Sequence, residues 1–206
     1  MHGHCKGSPS AARGTLRSMT ARLPFTGDAA ADELVSSDPL ALLIGFALDQ
    51  QVTVQKAFSG PLEIQRRLGH LDAKRLAATD PAELDRVFRE RPAIHRFPGS
   101  MAGKVQALAA AIAERYDGDA SRIWREASDG KDLERRLLEL PGIGEMKART
   151  ILAVLAKRLD VKVPGLDAVL PRHPTLGDVD SPESLAEYQA GKRAYKASMR
   201  AQGKRV

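Results

Sequence analysis

The sequence predicts an all-α fold, and three observations predict it. Apolar residues recur at helical spacing along most of the chain, the periodic runs are punctuated by Asp-Pro, Asp-Gly and Pro-Gly pairs, and no alternating β-pattern of useful length appears. Only Val161 to Val163 reads as a short extended piece.

The elements follow in order. Leu40, Leu43, Ile44, Ala47 and Leu48 form the stripe of a core helix, with Asp38 as N-cap and Pro39 at its first position, and its C-terminal end delivers Asp49, Gln50 and Gln51. Shorter helices are expected at about 60–69, 72–78 and 81–89, the last opened by Asp80 and Pro81. A long helix runs from about Gly99 to Tyr116, with Val105, Leu108, Ala109 and Ile112 on one face, and stops at Asp117-Gly118. Leu133, Leu137 and Leu138 stripe a helix that ends at Pro141, and Ala148, Ile151, Leu152 and Leu155 stripe the next one beyond Gly144. The stretch VPGLDAVLPRHPTLGDVDSPES reads as loop. After it come Lys192, Lys196, Arg200 and Lys204 at successive i+4 steps, one basic stripe if the segment is helical.

Composition bounds the rest. A chain of 206 residues with 43% hydrophobic and 28% charged residues is an ordinary globular mixture, long enough for one substantial core. No run approaches the roughly 18 consecutive apolar residues of a membrane span. The first residues, MHGHCKGSPSAARGTLRS, lack the apolar centre of a secretory signal; residues 1–19 are expected to be a disordered extension, and the protein cytoplasmic. The single cysteine, Cys5, excludes an internal disulfide and a four-cysteine iron–sulfur cluster within this chain. His2, His4 and Cys5 are metal ligands on paper but incidental in such a tail, so no metal site built from side chains is expected. The net charge of +6 points to a polyanionic partner.

The informative stretch is LELPGIGEMKARTIL, where Pro141, Gly142 and Gly144 interrupt two helices. On one reading a glycine here is only a C-cap and Pro141 a stop signal. On the other, two glycines around Ile143 uncover the turn's backbone N–H groups where the next helix begins, making an anion seat, with Ile143 plugged between the helices and Lys147 and Arg149 adding charge.

LPGIGEMKARTIL resembles the hairpin of the helix-hairpin-helix DNA-binding motif, with Glu145, an acid beside the expected phosphate, as a departure. Further on, Pro164, Gly165 and Asp167 in KVPGLDAVLPR match the Gly/Pro-Asp signature of the helix-hairpin-helix (HhH-GPD) superfamily of base-excision DNA glycosylases. The helix ending in Gln50-Gln51 is similar to the superfamily's early helix, and HRFPGSMAGKVQALAAAI to its middle segment; the likeness covers roughly 30–175. It implies a two-lobed helical domain over 20–187, with the hairpin at about 133–158, a DNA cleft between the lobes, and a basic helix or tail over 188–206.

The same resemblance implies site residues. Asp167 takes the place of the catalytic carboxylate, which stabilises an oxocarbenium-like transition state and orients water; the alternative, compatible with that role, is that Asp167 is an N-cap of a short helix through Ala168 and Leu170. Gly142, Ile143, Gly144 and Lys147 take the phosphate anchor, with a monovalent cation at the hairpin backbone. Gln50 or Gln51 fills the gap left by a flipped nucleotide or meets the opposite strand. His95, Phe97 and Trp124 are candidates for stacking on the flipped base, or else core aromatics. Strand-cutting relatives carry a lysine two positions after the second hairpin glycine; here Met146 stands there, and Lys147 points about 100° away. The expectation is a monofunctional glycosylase of the cluster-free, alkylpurine type, monomeric, acting on double-stranded DNA with a damaged base. The alternative is a non-catalytic DNA-binding module. The chain departs from the family after Asp167, where PRHPTLGDVDSPES and the basic tail replace the usual helices.

Overall fold

The computed structural model describes residues 23–203. The expected extension over 1–19, with His2, His4 and Cys5, and Lys204 of the basic stripe lie outside the described residues. Eleven α-helices follow in order: α1 (Ala29–Ser37), α2 (Pro39–Leu48), α3 (Val54–Leu68), α4 (Ala73–Ala78), α5 (Pro81–Arg89), α6 (Pro98–Tyr116), α7 (Arg122–Arg125), α8 (Gly130–Leu138), α9 (Glu145–Arg158), α10 (Leu166–Val169) and α11 (Pro182–Ala201), with a 3-10 turn at Leu176–Asp178. The protein is all-α: the described residues contain no strand, and Val161–Val163 is irregular. None of the described helices is long and apolar enough to cross a membrane.

The core is built on α2. Every residue from Leu40 to Leu48 is buried, so this helix is apolar all round and needs neighbours on every side. α1, α3 and α6 supply them. Close approach of α2 and α3 depends on glycine: a Cβ on Gly45 would stand 2.5 Å from the Phe58 ring, and one on Gly60 would stand 2.4 Å from Leu48 Cδ1. Phe58 in turn meets Phe25 and Phe46 edge-on at 4.9 and 5.0 Å.

The extensive pairings fall into two sets. α1, α2 and α3 pack together, and α6 gathers α2, α4 and α5; the second set joins α8 to α9, lays α7 on α8 and α10 on both, and packs the 3-10 turn on α9 and α11 on that turn. Polar contacts bridge the sets, among them Arg115–Glu139 at 3.1 Å and the contacts at the end of α2 taken up below.

Local chemistry explains most boundaries. Asp38 accepts from the N–H groups of Leu40 and Ala41, Asp72 caps α4, Asp80 caps α5, and α6 ends as Asp117 and Gly118 enter the left-handed region. Four expectations need correction. The helix expected at 60–69 begins at Val54, because Thr53 caps it and Gly60-Pro61 is accommodated inside with both residues buried. α1 and α7 have no counterpart in the sequence reading. Leu138 does not belong to the buried stripe: at 41% exposure it lies beyond the arc of Leu133 and Leu137, and Leu140 takes the inward place. The segment read as loop carries α10 and the 3-10 turn, and α11 starts at Pro182 on a Ser181–Ser184 capping box.

Candidate nucleic-acid interface

The hairpin forms from α8, the turn at Leu140–Gly144, and α9. Ile143 is 5% exposed and its N–H donates to the Leu140 carbonyl (3.1 Å), so the side chain between the glycines plugs inward. The two glycines differ physically. Gly142 has φ +83°, a conformation that costs other residues roughly 1 kcal/mol or more. Gly144 has φ −98° and ψ 177°, extended backbone open to any residue, and a Cβ there would meet nothing within 4 Å. What its missing side chain leaves is open space over the start of α9.

That start is uncapped. Gly144 is the N-cap and offers no side-chain acceptor, and the N–H groups of Gly144, Glu145 and Met146 find no acceptor among the described residues. Unpaired N–H groups at the positive end of a helix dipole suit an anion. Glu145, exposed in the first turn, supplies a carboxylate beside them. Met146 points outward at 69% exposure.

Lys147 turns the other way. Its Nζ donates to the carbonyls of Ala47 and Gly142, both at 3.2 Å, tying the hairpin to the C-terminal end of α2. Burial pushes this amine down to about 8; the Asp49 carboxylate opposes that shift and the Lys104 charge adds to it. Arg149 is likewise engaged, with Nε 3.6 Å from Glu134. The charge expected from these two side chains at the turn is therefore directed to intramolecular partners.

The end of α2 is a polar junction. Gln50 Nε2 donates to the Ala47 carbonyl (3.1 Å), and Gln50 Oε1 accepts from Lys104 Nζ (2.8 Å) on α6. The Gln50 carbonyl accepts from His95 Nε2 (2.9 Å), while His95 Nδ1 accepts from the Phe97 N–H (3.0 Å). These partners fix the imidazole as the neutral Nε2–H tautomer. Burial lowers the His95 pKa, the nearby Arg96 and Lys104 charges add to that, and the Gln50 and Leu48 carbonyls oppose it. Gln50 is thus a strut across three elements. Gln51 is the free one: exposed, with φ +54°, at the apex of the α2–α3 turn.

The aromatic candidates separate. His95 is buried and held at both nitrogens. Phe97 is 42% exposed, with the Arg96 guanidinium 4.7 Å over its ring. Trp124 is half-buried on α7 against α8, and among the described residues no ring contact joins it to His95 or Phe97.

Asp167 lies in the first turn of α10 and is exposed. It is not the N-cap; Gly165, at φ +68°, holds that position. The loop carrying it is fastened to α8, where Gly130 N–H donates to the Pro164 carbonyl (2.8 Å) and a Cβ on Gly130 would stand 2.7 Å from the Gly165 carbonyl oxygen. Asp167 therefore sits on a turn packed against both helices of the hairpin. A cavity of about 120 Å³ lies elsewhere, at the opposite end of α2, lined by Asp38, Asp72 and Asp119.

Lys104, Arg96 and the backbone of Ala47 were not among the residues singled out from sequence. Lys104 and the Ala47 carbonyl act through partners 54 and 100 residues away, which nothing local marks, whereas Arg96 lies over the ring of its own neighbour Phe97. No protein-family profile matches the sequence, and no curated protein matches it.

Proposed function

We propose that this protein grips duplex DNA through the turn at Gly142–Gly144 and hydrolyses the N-glycosidic bond of a flipped, damaged base, acting as a monofunctional DNA glycosylase of the HhH-GPD type. The observation that carries the reading is the uncapped start of α9, where unpaired N–H groups lie open to solvent on a hairpin that Lys147 fastens to the Gln50-Gln51 turn. Backbone donors at a helix start contact phosphate without reading sequence. The open helix start and the exposed Gln51 lie on two turns joined through Lys147, which supports a shared role in holding a duplex.

In this reading the two sets of helices are the lobes of the fold, and the duplex lies across the bridge between them. Gln51 enters the stack left by the flipped nucleotide, and Phe97, the exposed one of the three aromatic candidates, stacks on the flipped base. The bond from C1′ to the base breaks with its electron pair leaving on the base. Water supplies the new C1′–O bond, and its proton passes to a carboxylate or to the departing base. Asp167 stabilises the cationic sugar and orients the water. No strand-cutting step follows, because Met146 occupies the outward position and the Lys147 amine faces inward on two carbonyls. The substrate is a damaged purine in double-stranded DNA, the hairpin backbone takes a monovalent cation, no further cofactor is needed, and the enzyme works as a cytoplasmic, nucleoid-associated monomer.

One observation favours a second reading, a non-catalytic DNA-binding module. Asp167 is exposed, and a carboxylate in water stabilises a nearby cation far less than one in a dry site. One experiment separates the two. Duplexes each carrying uracil, hypoxanthine, 3-methyladenine, 7-methylguanine or oxidised guanine are incubated with the protein and scored for abasic sites with and without alkali. Alkali-dependent cleavage at one lesion, lost in Asp167→Asn with binding retained, supports the glycosylase. Binding with no abasic site at any lesion establishes the module.

A further inference from the structure

The C-terminal helix α11 is attached to the molecule by its first half alone. Leu185 is buried and Tyr188 half-buried, and Gln189 Nε2 donates to Gln55 Oε1 (3.0 Å) at the start of α3. Burial raises the Tyr188 hydroxyl to about 12, with the Asp49 and Asp178 charges adding to it. Asp49 is the C-cap of α2, so the root of α11 lies beside the turn that carries Gln50 and Gln51. From Ala190 to Gly203 every residue except Met199 is exposed.

The overhang is sharply divided. At 100° per residue, Leu185, Tyr188 and Gln189, which grip the body, define an arc of roughly 100°. Continued outward, the same face carries Lys192, Arg193, Lys196 and Arg200, together with Tyr195 and Met199. The opposite face holds Glu183 and Glu187, both near the root, and then Ala190, Ala194, Ala197 and Ala201. A helix that only needed solvation would spread its charges. Isolated helices of this length are marginal in water, and here the cations are gathered on the side facing whatever lies against the body's rim.

We infer that the overhang of α11 is a second contact with duplex DNA, a basic arm that follows the phosphate backbone outward from the Gln50-Gln51 turn. The inference rests on the DNA-binding reading above and extends its footprint. Charge complementarity names the occupant: four cations on one arc and no acid beyond Glu187. Continuity names its place, because the arm springs from beside Asp49.

The test compares the full chain with the variant Lys192→Gln, Arg193→Gln, Lys196→Gln, Arg200→Gln. Glutamine keeps helix propensity, which circular dichroism checks. Binding to an undamaged 20-base-pair duplex is measured from 50 to 300 mM KCl. Four neutralised phosphates contribute about 0.9 each to the slope of log K against log salt. The variant is expected to lose about 3.6 from that slope, while Gly144→Asp, a change at the hairpin, leaves the arm's share in place. An unchanged slope in the quadruple variant, with the parent binding normally, overturns the arm alone. Failure of the parent to bind any duplex overturns the DNA reading and the arm with it. Binding of α11 to phosphatidylserine vesicles in preference to the duplex also overturns the arm, and identifies an anionic membrane as its partner.

Discussion

The starts of α2 and α9 differ in one respect that separates a helix made for the core from one open to a ligand. At α2, Asp38 covers the first N–H groups with its own carboxylate and Pro39 removes one donor altogether, so nothing at that end asks for a partner. Burial raises the Asp38 pKa despite the two backbone donors that lower it, so the cap holds its charge against a desolvation cost. At α9, Gly144 offers no side chain and the donors stay open. Most of the longer helices here are capped by a side chain, which makes the open start of α9 a property of its sequence rather than of helices in this protein in general.

The sharpest way to break this comparison is to give α9 the cap that α2 has. Gly144→Asp fits the extended backbone and the empty space at that position, and its carboxylate can bond the N–H groups of the first turn. Thermal stability should rise or hold, by up to ~1 kcal/mol. Duplex affinity should fall about 30-fold or more, roughly 2 kcal/mol, because a fixed anion then fills the phosphate seat. Loss of stability together with loss of binding would mean that the residue matters for folding only.

The converse substitution acts on α2. Asp38→Ala removes the cap and should cost ~1–2 kcal/mol in a denaturant midpoint while leaving DNA affinity unchanged, since it lies at the far end of α2 from Gln50. Asp38→Asn keeps an acceptor without the buried charge and should match the parent at pH 7. A drop in DNA affinity on Asp38→Ala would show that the two ends of α2 are coupled.

Caps also explain how much of the fold could be read in advance. α2, α5 and the end of α6 were legible because Asp38-Pro39, Asp80-Pro81 and Asp117-Gly118 are local signals. α1 was not, although Asp28 caps it locally: its nine residues bury only Ala31, Asp32 and Val35, and the inward Asp32, which accepts from the N–H groups of Phe25 and Thr26 and from the Thr26 hydroxyl, interrupts the apolar stripe that periodicity would reveal. The start of α3 was hidden by Gly60-Pro61, which reads as a breaker and acts as a close-packing surface. At the site, a positive-φ glycine and the inward Ile143 were legible from spacing, but not that Gly142 rather than Gly144 takes that conformation. The division of labour between Gln50 and Gln51 was not, because it is decided by His95 and Lys104, partners 45 and 54 residues away.

Lys147 tests whether the two turns must be fastened. Lys147→Met leaves the Ala47 and Gly142 carbonyls short of a donor and should cost ~1 kcal/mol, partly offset by relief of a half-buried charge. The pH dependence has a definite sign. Between about 8, the folded value, and 10.5, the unfolded one, the unfolded chain holds a proton that the folded chain lacks. This group therefore makes stability increase with pH across that window, and the contribution should vanish in Lys147→Met. Identical pH profiles for parent and variant would remove Lys147 from the account.

The smallest expected effect is at Glu145, and it is the most diagnostic of where the phosphate sits. In its exposed first-turn position the carboxylate stabilises α9 against its own dipole, by ~0.3–1 kcal/mol. A DNA phosphate on the same N–H groups would be repelled by it, so one residue should act in opposite directions on folding and on binding. Glu145→Gln is expected to lower stability by a few tenths of a kcal/mol and to raise duplex affinity about two- to fivefold at 50 mM salt, the gain shrinking at 300 mM as screening shortens the reach of the charge. An affinity gain that persists at high salt would point to a direct contact instead of repulsion. An affinity loss would place the phosphate away from α9 and leave its open start without a ligand.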